Sequence, residues 1–169
     1  MLGPLSNPAK VKHQLIGVFA NDYINRIVKI MQKNHSEIIL AVRSEDGMDE
    51  LSTTSKNKIC MLKNNEITEF MINPEKYNLQ KGQLCDIQIK TKQEAIDSFV
   101  NVLNNSSNRT MKEITVLNAA GGMVAGGMCD SFEEGVEMSL STINSGKSFE
   151  KLKQFAKEYG TLNKLEGVN

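Results

Sequence analysis

The chain has 169 residues and a mass of 18.8 kDa, enough for one domain with its own core. Hydrophobic residues at 40% and charged residues at 24% exclude intrinsic disorder and fibrous repeats. Lys plus Arg is 20 and Asp plus Glu is 20, so no net field draws the chain to nucleic acid or to an anionic membrane. The sequence holds no apolar run of the roughly eighteen residues that a spanning helix needs, and Met1-Leu2-Gly3-Pro4 lacks a basic start followed by an apolar stretch. The chain is therefore read as soluble and cytoplasmic. Cys60, Cys85 and Cys129 form no C-x-x-C pair and read as reduced, mostly buried thiols. His13 and His35 have no partner at ligand spacing, which argues against zinc hydrolase and Cys-His chemistry.

In chain order, Leu2 to Lys12 carries Gly3, Pro4 and Pro8 and reads as a shaped connector rather than a regular element. Leu15 to Phe19 is a short apolar run, a strand. Asn21 is a candidate N-cap ahead of Tyr23, Ile24, Ile27, Val28 and Met31 at helical spacing, with Asn34 able to close that helix in a left-handed conformation. Ile38 to Val42 is continuously apolar, as in a strand covered on both faces, so the unit reads as βαβ with parallel strands. Residues 58–63 and 66–72 flank Asn64-Asn65, a dipeptide suited to a tight hairpin. The stretch from Asn73-Pro74 to Gly82 reads as loop.

The second half is helical. Thr91 and Glu94 form a capping-box pattern, and Asn104 to Arg109 ends that helix. A helix follows over about 113–127, then a capping pattern at Asp130-Ser131-Phe132-Glu133-Glu134 with Gly146 as the stop, and a last helix capped by Ser148 and ending before Gly160. The tail over 161–169 is expected to fray. Phe99, Phe132, Phe149, Phe155, Met123, Met128 and Met138 read as core, and Lys147, Lys151, Lys153 and Lys157, interleaved with Glu150 and Glu158, as a solvated face.

Chemistry is sparse. Glu45-Asp46-Gly47-Met48-Asp49-Glu50 follows the carboxyl end of the strand at 38–42, the edge where open α/β sheets bind ligands. Two readings fit: a solvated acidic turn, or carboxylates that hold Mg²⁺ against a phosphorylated substrate. Magnesium asks for few protein ligands and leaves a weak signature, so the residues alone favour the solvated turn. The glycine-rich run Gly121 to Gly127 lacks P-loop spacing and a following Lys-Ser or Lys-Thr. It reads instead as small residues on a closely packed helix. His13 is assigned no role.

Four segments carry a resemblance. Leu2-Gly3-Pro4-Leu5-Ser6-Asn7-Pro8-Ala9, Gly47-Met48-Asp49-Glu50-Leu51-Ser52, Leu117-Asn118-Ala119-Ala120 and Ser131-Phe132-Glu133-Glu134-Gly135-Val136-Glu137 resemble, in order and spacing, the C-terminal half of the anthranilate phosphoribosyltransferase family. The closing Ser145 to Leu152 is similar to that family's ending. The resemblance implies an α/β fold: a partial parallel sheet with a β-hairpin and packed helices, the C-terminal part of a nucleoside phosphorylase/phosphoribosyltransferase-type catalytic domain. Residues 1–12 become a connector from an N-terminal half, and residues 13–160 the C-terminal portion of the α/β domain.

The implied function is transfer of phosphoribosyl from phosphoribosyl pyrophosphate to anthranilate in tryptophan biosynthesis, a pentosyltransferase reaction with Mg²⁺, by homodimers in the full-length family. Asp49 and Glu50 match the family's metal-holding Asp-Glu pair. The family's glycine-rich phosphate loop and the arginine that meets anthranilate have no counterpart in these residues. This chain alone is therefore expected to keep a weak Mg²⁺-diphosphate site and negligible transferase activity. Two local departures concern Thr54-Ser55-Lys56, where a Thr-Gly-Pro-type turn is usual, and Lys90-Thr91-Lys92, where paired glycines are expected. A fragment of a related nucleoside phosphorylase or paralogue, and a non-catalytic module that pairs with a separate N-terminal half, remain the alternatives.

Overall fold

Residue-by-residue alternation in one strand organises the molecule. The computed structural model describes residues 2–160, and the expected tail at 161–169 lies outside the described residues. Strand β2 (Ile38–Ser44) sends Ile39 and Ala41 to one face and Leu40 and Val42 to the other, and all four are essentially inaccessible to solvent. This is why its apolar run is continuous: both faces are covered.

Strands β1 (His13–Gly17), β2, β3 (Asn57–Lys63) and β4 (Glu66–Ile72) lie in the order β1-β2-β3-β4. Only β1 and β2 pair in parallel; β2–β3 and β3–β4 are antiparallel. The partial parallel sheet with a hairpin is thus present, with β1 displaced two residues toward the N-terminus from the expected 15–19. Asn64 and Asn65, at φ 53° and 63°, make the hairpin turn, because short polar side chains tolerate that region.

Helix α2 (Asn21–Lys33) follows a four-residue helical turn, α1 (Leu2–Leu5), and lays Ile24, Ile27, Val28 and Met31 on Ile39, Ala41, Cys60 and Leu62. The other face is covered by α4 (Arg109–Ala125), backed by α5 (Phe132–Asn144), with Val116, Leu117, Ala120 and Val124 reaching Leu40, Val42 and Ile59. Helices α3 (Lys92–Leu103) and α6 (Lys147–Tyr159) pack outside this layer. None of the described helices is long and apolar enough to cross a membrane.

Several local expectations are corrected. Part of the connector is helical, as α1 shows. Asn21 is already inside α2; Ala20 stands at the N-cap without a side-chain bond. The left-handed residue after α2 is His35 at φ 59°, not Asn34 at φ −82°. Residues 74–77 and 84–87 form 3-10 turns within the expected loop and just after it, the first capped by the Asn73 side chain. Helix α4 begins four residues earlier than 113 because Asn108 accepts a hydrogen bond from the Met111 N–H and caps it, and it ends at Ala125.

Ser148 does not cap α6. Gly146 does so at φ 77°, while the Ser148 hydroxyl donates to the Leu103 carbonyl and ties α6 to α3. Phe99, Phe155 and Met128 are exposed rather than core, whereas Phe132 is buried. Cys85 is exposed; Cys60 and Cys129 are buried free thiols. The capping box at Thr91–Glu94 is complete, so Thr91 starts α3 from within the Lys90-Thr91-Lys92 departure.

Candidate metal centre

The loop from Ser44 to Asn57 joins β2 to β3 and contains every carboxylate of the acidic segment. Gly47 turns it at φ 101°, where a side chain would be strained. One carboxylate of the segment faces inward. Asp46 Oδ1 accepts from the Ser44 hydroxyl and from the Met48 N–H at 3.1 Å, and Oδ2 accepts from the Ser52 hydroxyl at 2.7 Å and from the Thr54 hydroxyl. Its own N–H donates to Ser55 Oγ at 3.2 Å. Burial alone would raise the Asp46 pKa, but the hydroxyls of Ser44, Thr54 and Ser52 and the Met48 amide outweigh it and bring the carboxyl to about 2. The Thr54-Ser55-Lys56 departure thus supplies two of the groups that fasten this turn.

Two asparagines grip the backbone further on. Asn118 Oδ1 accepts from the Leu51 N–H at 3.0 Å while its Nδ2 donates to the Leu51 carbonyl at 2.6 Å and to the Ile114 carbonyl at 2.9 Å. Buried Asn57 does the same for Ser52, accepting from its N–H at 2.7 Å and donating to its carbonyl at 2.8 Å. Met48, Leu51 and Ser52 are therefore all clamped, and Asp49 and Glu50 are the two residues between the clamps.

A steric contact sets their depth. A Cβ on Gly17, at the end of β1, would lie 1.7 Å from the Asp49 carbonyl oxygen, so this carbonyl occupies the place of a side chain. Arg43 locks the same corner by donating to the carbonyls of Val18, at 3.2 Å, and Phe19.

Asp49 and Glu50 are exposed, and neither side chain makes a hydrogen bond or ion pair among the described residues. Asp49 lines a cavity of about 150 Å³ with Pro4, Leu5 and Gly17; Glu50 stands at the rim of an apolar groove of about 300 Å³ between α3 and α4, lined by Phe99, Val102 and Ile114. No group of three His, Cys, Asp or Glu side chains is placed to hold a metal among the described residues. Adjacent in the chain but opening onto different hollows, the two carboxylates match Mg²⁺ in donor type and number only. This ion keeps much of its water and takes one or two carboxylates plus phosphate oxygens rather than an all-protein cage.

The glycine-rich run packs closely against another element only at Gly121; a Cβ on Gly122 would meet nothing within 4 Å, and Gly127, at φ 68°, lies beyond α4. A Cβ on Gly121 would lie 2.8 Å from Leu51 Cδ1, and one on Gly135 of α5 would lie 2.9 Å from Ala120 Cα. His13 sits 3.4 Å from Glu37 at the surface, remote from the turn. The four resembling segments thus form one unit. Pro4 and Leu5 line the Asp49 cavity, residues 47–52 make the turn, Asn118 grips it, and Ala120 meets Gly135.

What reading the residues missed is the inward role of Asp46 and the grips of Asn57 and Asn118. The available signal was an Asp-Gly turn bracketed by Ser44, Ser52 and Thr54, a pattern in which side-chain oxygens bond local backbone.

Comparison with known proteins agrees with this architecture. Residues 1–149 match the model of the glycosyl transferase family, a/b domain. The chain is 48% identical over 168 residues to the anthranilate phosphoribosyltransferase of Nitrosopumilus maritimus, covering 99% of this chain and 48% of that protein. It is 34% identical to the one from Geobacillus sp., with 91% and 45% covered. The chain spans about half the length of the curated relatives it matches. Among solved structures, the anthranilate phosphoribosyltransferase of Thermus thermophilus superposes with a TM-score of 0.81 at 22% identity, covering 92% of this chain and 46% of that one. The Saccharomyces cerevisiae enzyme in complex with PRPP and Mg gives 0.77 at 22% identity, covering 91% and 44%. With a family match over most of its length and a shared fold, the chain belongs to the glycosyl transferase family and carries its a/b domain.

Proposed function

We propose that the chain supplies the Mg²⁺-diphosphate-binding part of an anthranilate phosphoribosyltransferase, a pentosyltransferase of tryptophan biosynthesis. The observation that carries this reading is the Asp49–Glu50 turn: two carboxylates free of protein partners among the described residues, on a loop whose flanking residues are all fixed. The similarity to enzymes named for this activity, one of them solved with PRPP and Mg, supports it. Asp49 and Glu50 would hold the ion from the protein side. An ion held there would supply neutralisation of the charge that grows on pyrophosphate as it leaves the ribose carbon. The carboxylates themselves would anchor the ion, and the fixed turn would spare their backbone the cost of being ordered on binding.

The reading is tested by titrating phosphoribosyl pyrophosphate into the chain with and without Mg²⁺. Binding is expected to require Mg²⁺ and to be lost in Asp49→Asn and Glu50→Gln, with the melting temperature retained because both side chains are exposed. Equal binding without the metal or in both variants would overturn it. These 169 residues alone, given anthranilate and phosphoribosyl pyrophosphate, are expected to show negligible turnover.

A further inference from the structure

Three acidic side chains of the loop, Asp46, Asp49 and Glu50, do not share one role. We propose that Asp46 is a positioning residue for the Asp49–Glu50 pair: it gathers the hydroxyls of Ser44, Ser52 and Thr54 and the Met48 amide, fixes the turn that presents the pair, and does not ligate the cation.

Four donors converge on its two oxygens, which leaves little free lone-pair capacity for a metal, and these donors come from both ends of the loop. Ser44 closes β2, while Ser52 and Thr54 precede β3. The carboxylate therefore draws the two ends of the loop together, with Met48 held immediately before the pair. Its N–H reaches both Asp46 Oδ1 and Ser44 Oγ at 3.1 Å, and its carbonyl accepts from the Ser44 N–H at 3.1 Å. A neutral amide in place of the carboxylate would set a donor where the Ser52 and Thr54 hydroxyls now find an acceptor, so those hydroxyls would have to turn and the charge-assisted bonds would be lost. Ser55, which accepts the Asp46 N–H, fastens the same residue from its backbone side.

The inference rests on the metal reading of Asp49 and Glu50, and the experiment separates the two. Mn²⁺ binding is followed by loss of the free-ion electron paramagnetic resonance signal, alone and with inorganic pyrophosphate, for the native chain, Asp46→Asn, Asp49→Asn and Thr54→Val. Amide exchange at Gly47 and Met48 is measured in the metal-free proteins. Asp46→Asn is expected to weaken Mn²⁺ binding by about tenfold or more, the usual effect of losing a residue that orients ligands, and to speed exchange at Gly47 and Met48. Asp49→Asn should weaken binding and leave that exchange unchanged. Thr54→Val removes one donor at nearly constant shape and should give a smaller change of both kinds, which keeps the test decisive if Asp46→Asn does not fold.

Unchanged affinity in Asp46→Asn, or in Thr54→Val should Asp46→Asn not fold, would overturn the inference. So would weakened affinity with unchanged amide exchange in Asp46→Asn, since Asp46 would then be a ligand. Absence of Mn²⁺ binding by the native chain, or full binding by Asp49→Asn, would overturn the metal reading itself and this inference with it.

Discussion

The turn at Asp49–Glu50 and the seam between α4 and α5 both bring backbones into close contact where a glycine lacks a side chain, but the turn adds directed bonds to its contact at Gly17. At the turn, polar side chains reach in: Asp46, Asn57 and Asn118 each bond main-chain or hydroxyl groups in fixed directions. At the seam, a side chain is missing: Gly135 lets α5 lie against Ala120. Directed bonds fix orientation, whereas an absent Cβ fixes only distance. A site that must aim two carboxylates needs the first kind of restraint, while a helix pair that needs only to close over a core is served by the second.

The sharpest way to break this contrast is Asn118→Ala. It strips both partners from the Leu51 backbone, whose residue is fully buried, and orphaned groups of this kind cost about 3 kcal/mol together. Chemical denaturation should show that loss, and the turn's amides should exchange faster while those of β3 remain protected. Gly135→Ala comes next. Its methyl group would meet Ala120 Cα and Cβ at 2.9 Å, and the overpacking, less the gain in helix propensity, is expected to cost about 2 kcal/mol by the same measurement. Unlike Asn118→Ala, it should leave exchange at Gly47 and Met48 unaltered; altered exchange there would mean that the two regions are not separate.

The smallest effect concerns acid. The Asp46 carboxyl is lowered from 3.8 to about 2, so its ionised form favours the folded state. That contribution is complete above about pH 4 and is lost as pH falls toward 2. Since Asp46 is partly exposed, screening by solvent reduces it to about 1 kcal/mol. Denaturation midpoints of the native chain and Asp46→Asn should differ at about pH 6 and converge near pH 2.

Much of the fold was legible because its strands and helices obey simple periods. The apolar run at 38–42 signalled a strand with two covered faces, and Asn64-Asn65 signalled the hairpin. The failures were local and have a common origin. Asn21 and Ser148 are each chemically able to cap a helix, yet Ala20 and Gly146 take those positions, because packing decides where a helix begins within a residue or two; Asn34 does close α2, but the left-handed residue is His35. Phe99 and Phe155 were expected inside on hydrophobicity alone, but Phe155 is exposed on α6 and Phe99 stands open to solvent in the groove between α3 and α4. In the candidate site, Asp49 and Glu50 could be named through a resemblance, while the brace could not. Asp46 differs from its acidic neighbours only in which groups surround it, and two of those groups, Ser52 and Thr54, approach it from across the loop.

The paired hydrogen bonds between Asn118 and Leu51 have a mechanical consequence. Leu51 follows Glu50 directly, and Asn118 also holds the Ile114 carbonyl one turn back in its own helix. The turn is thereby geared to α4 as a tooth to a rack. A slide of this helix along the sheet would carry Leu51 with it and re-aim both acidic side chains.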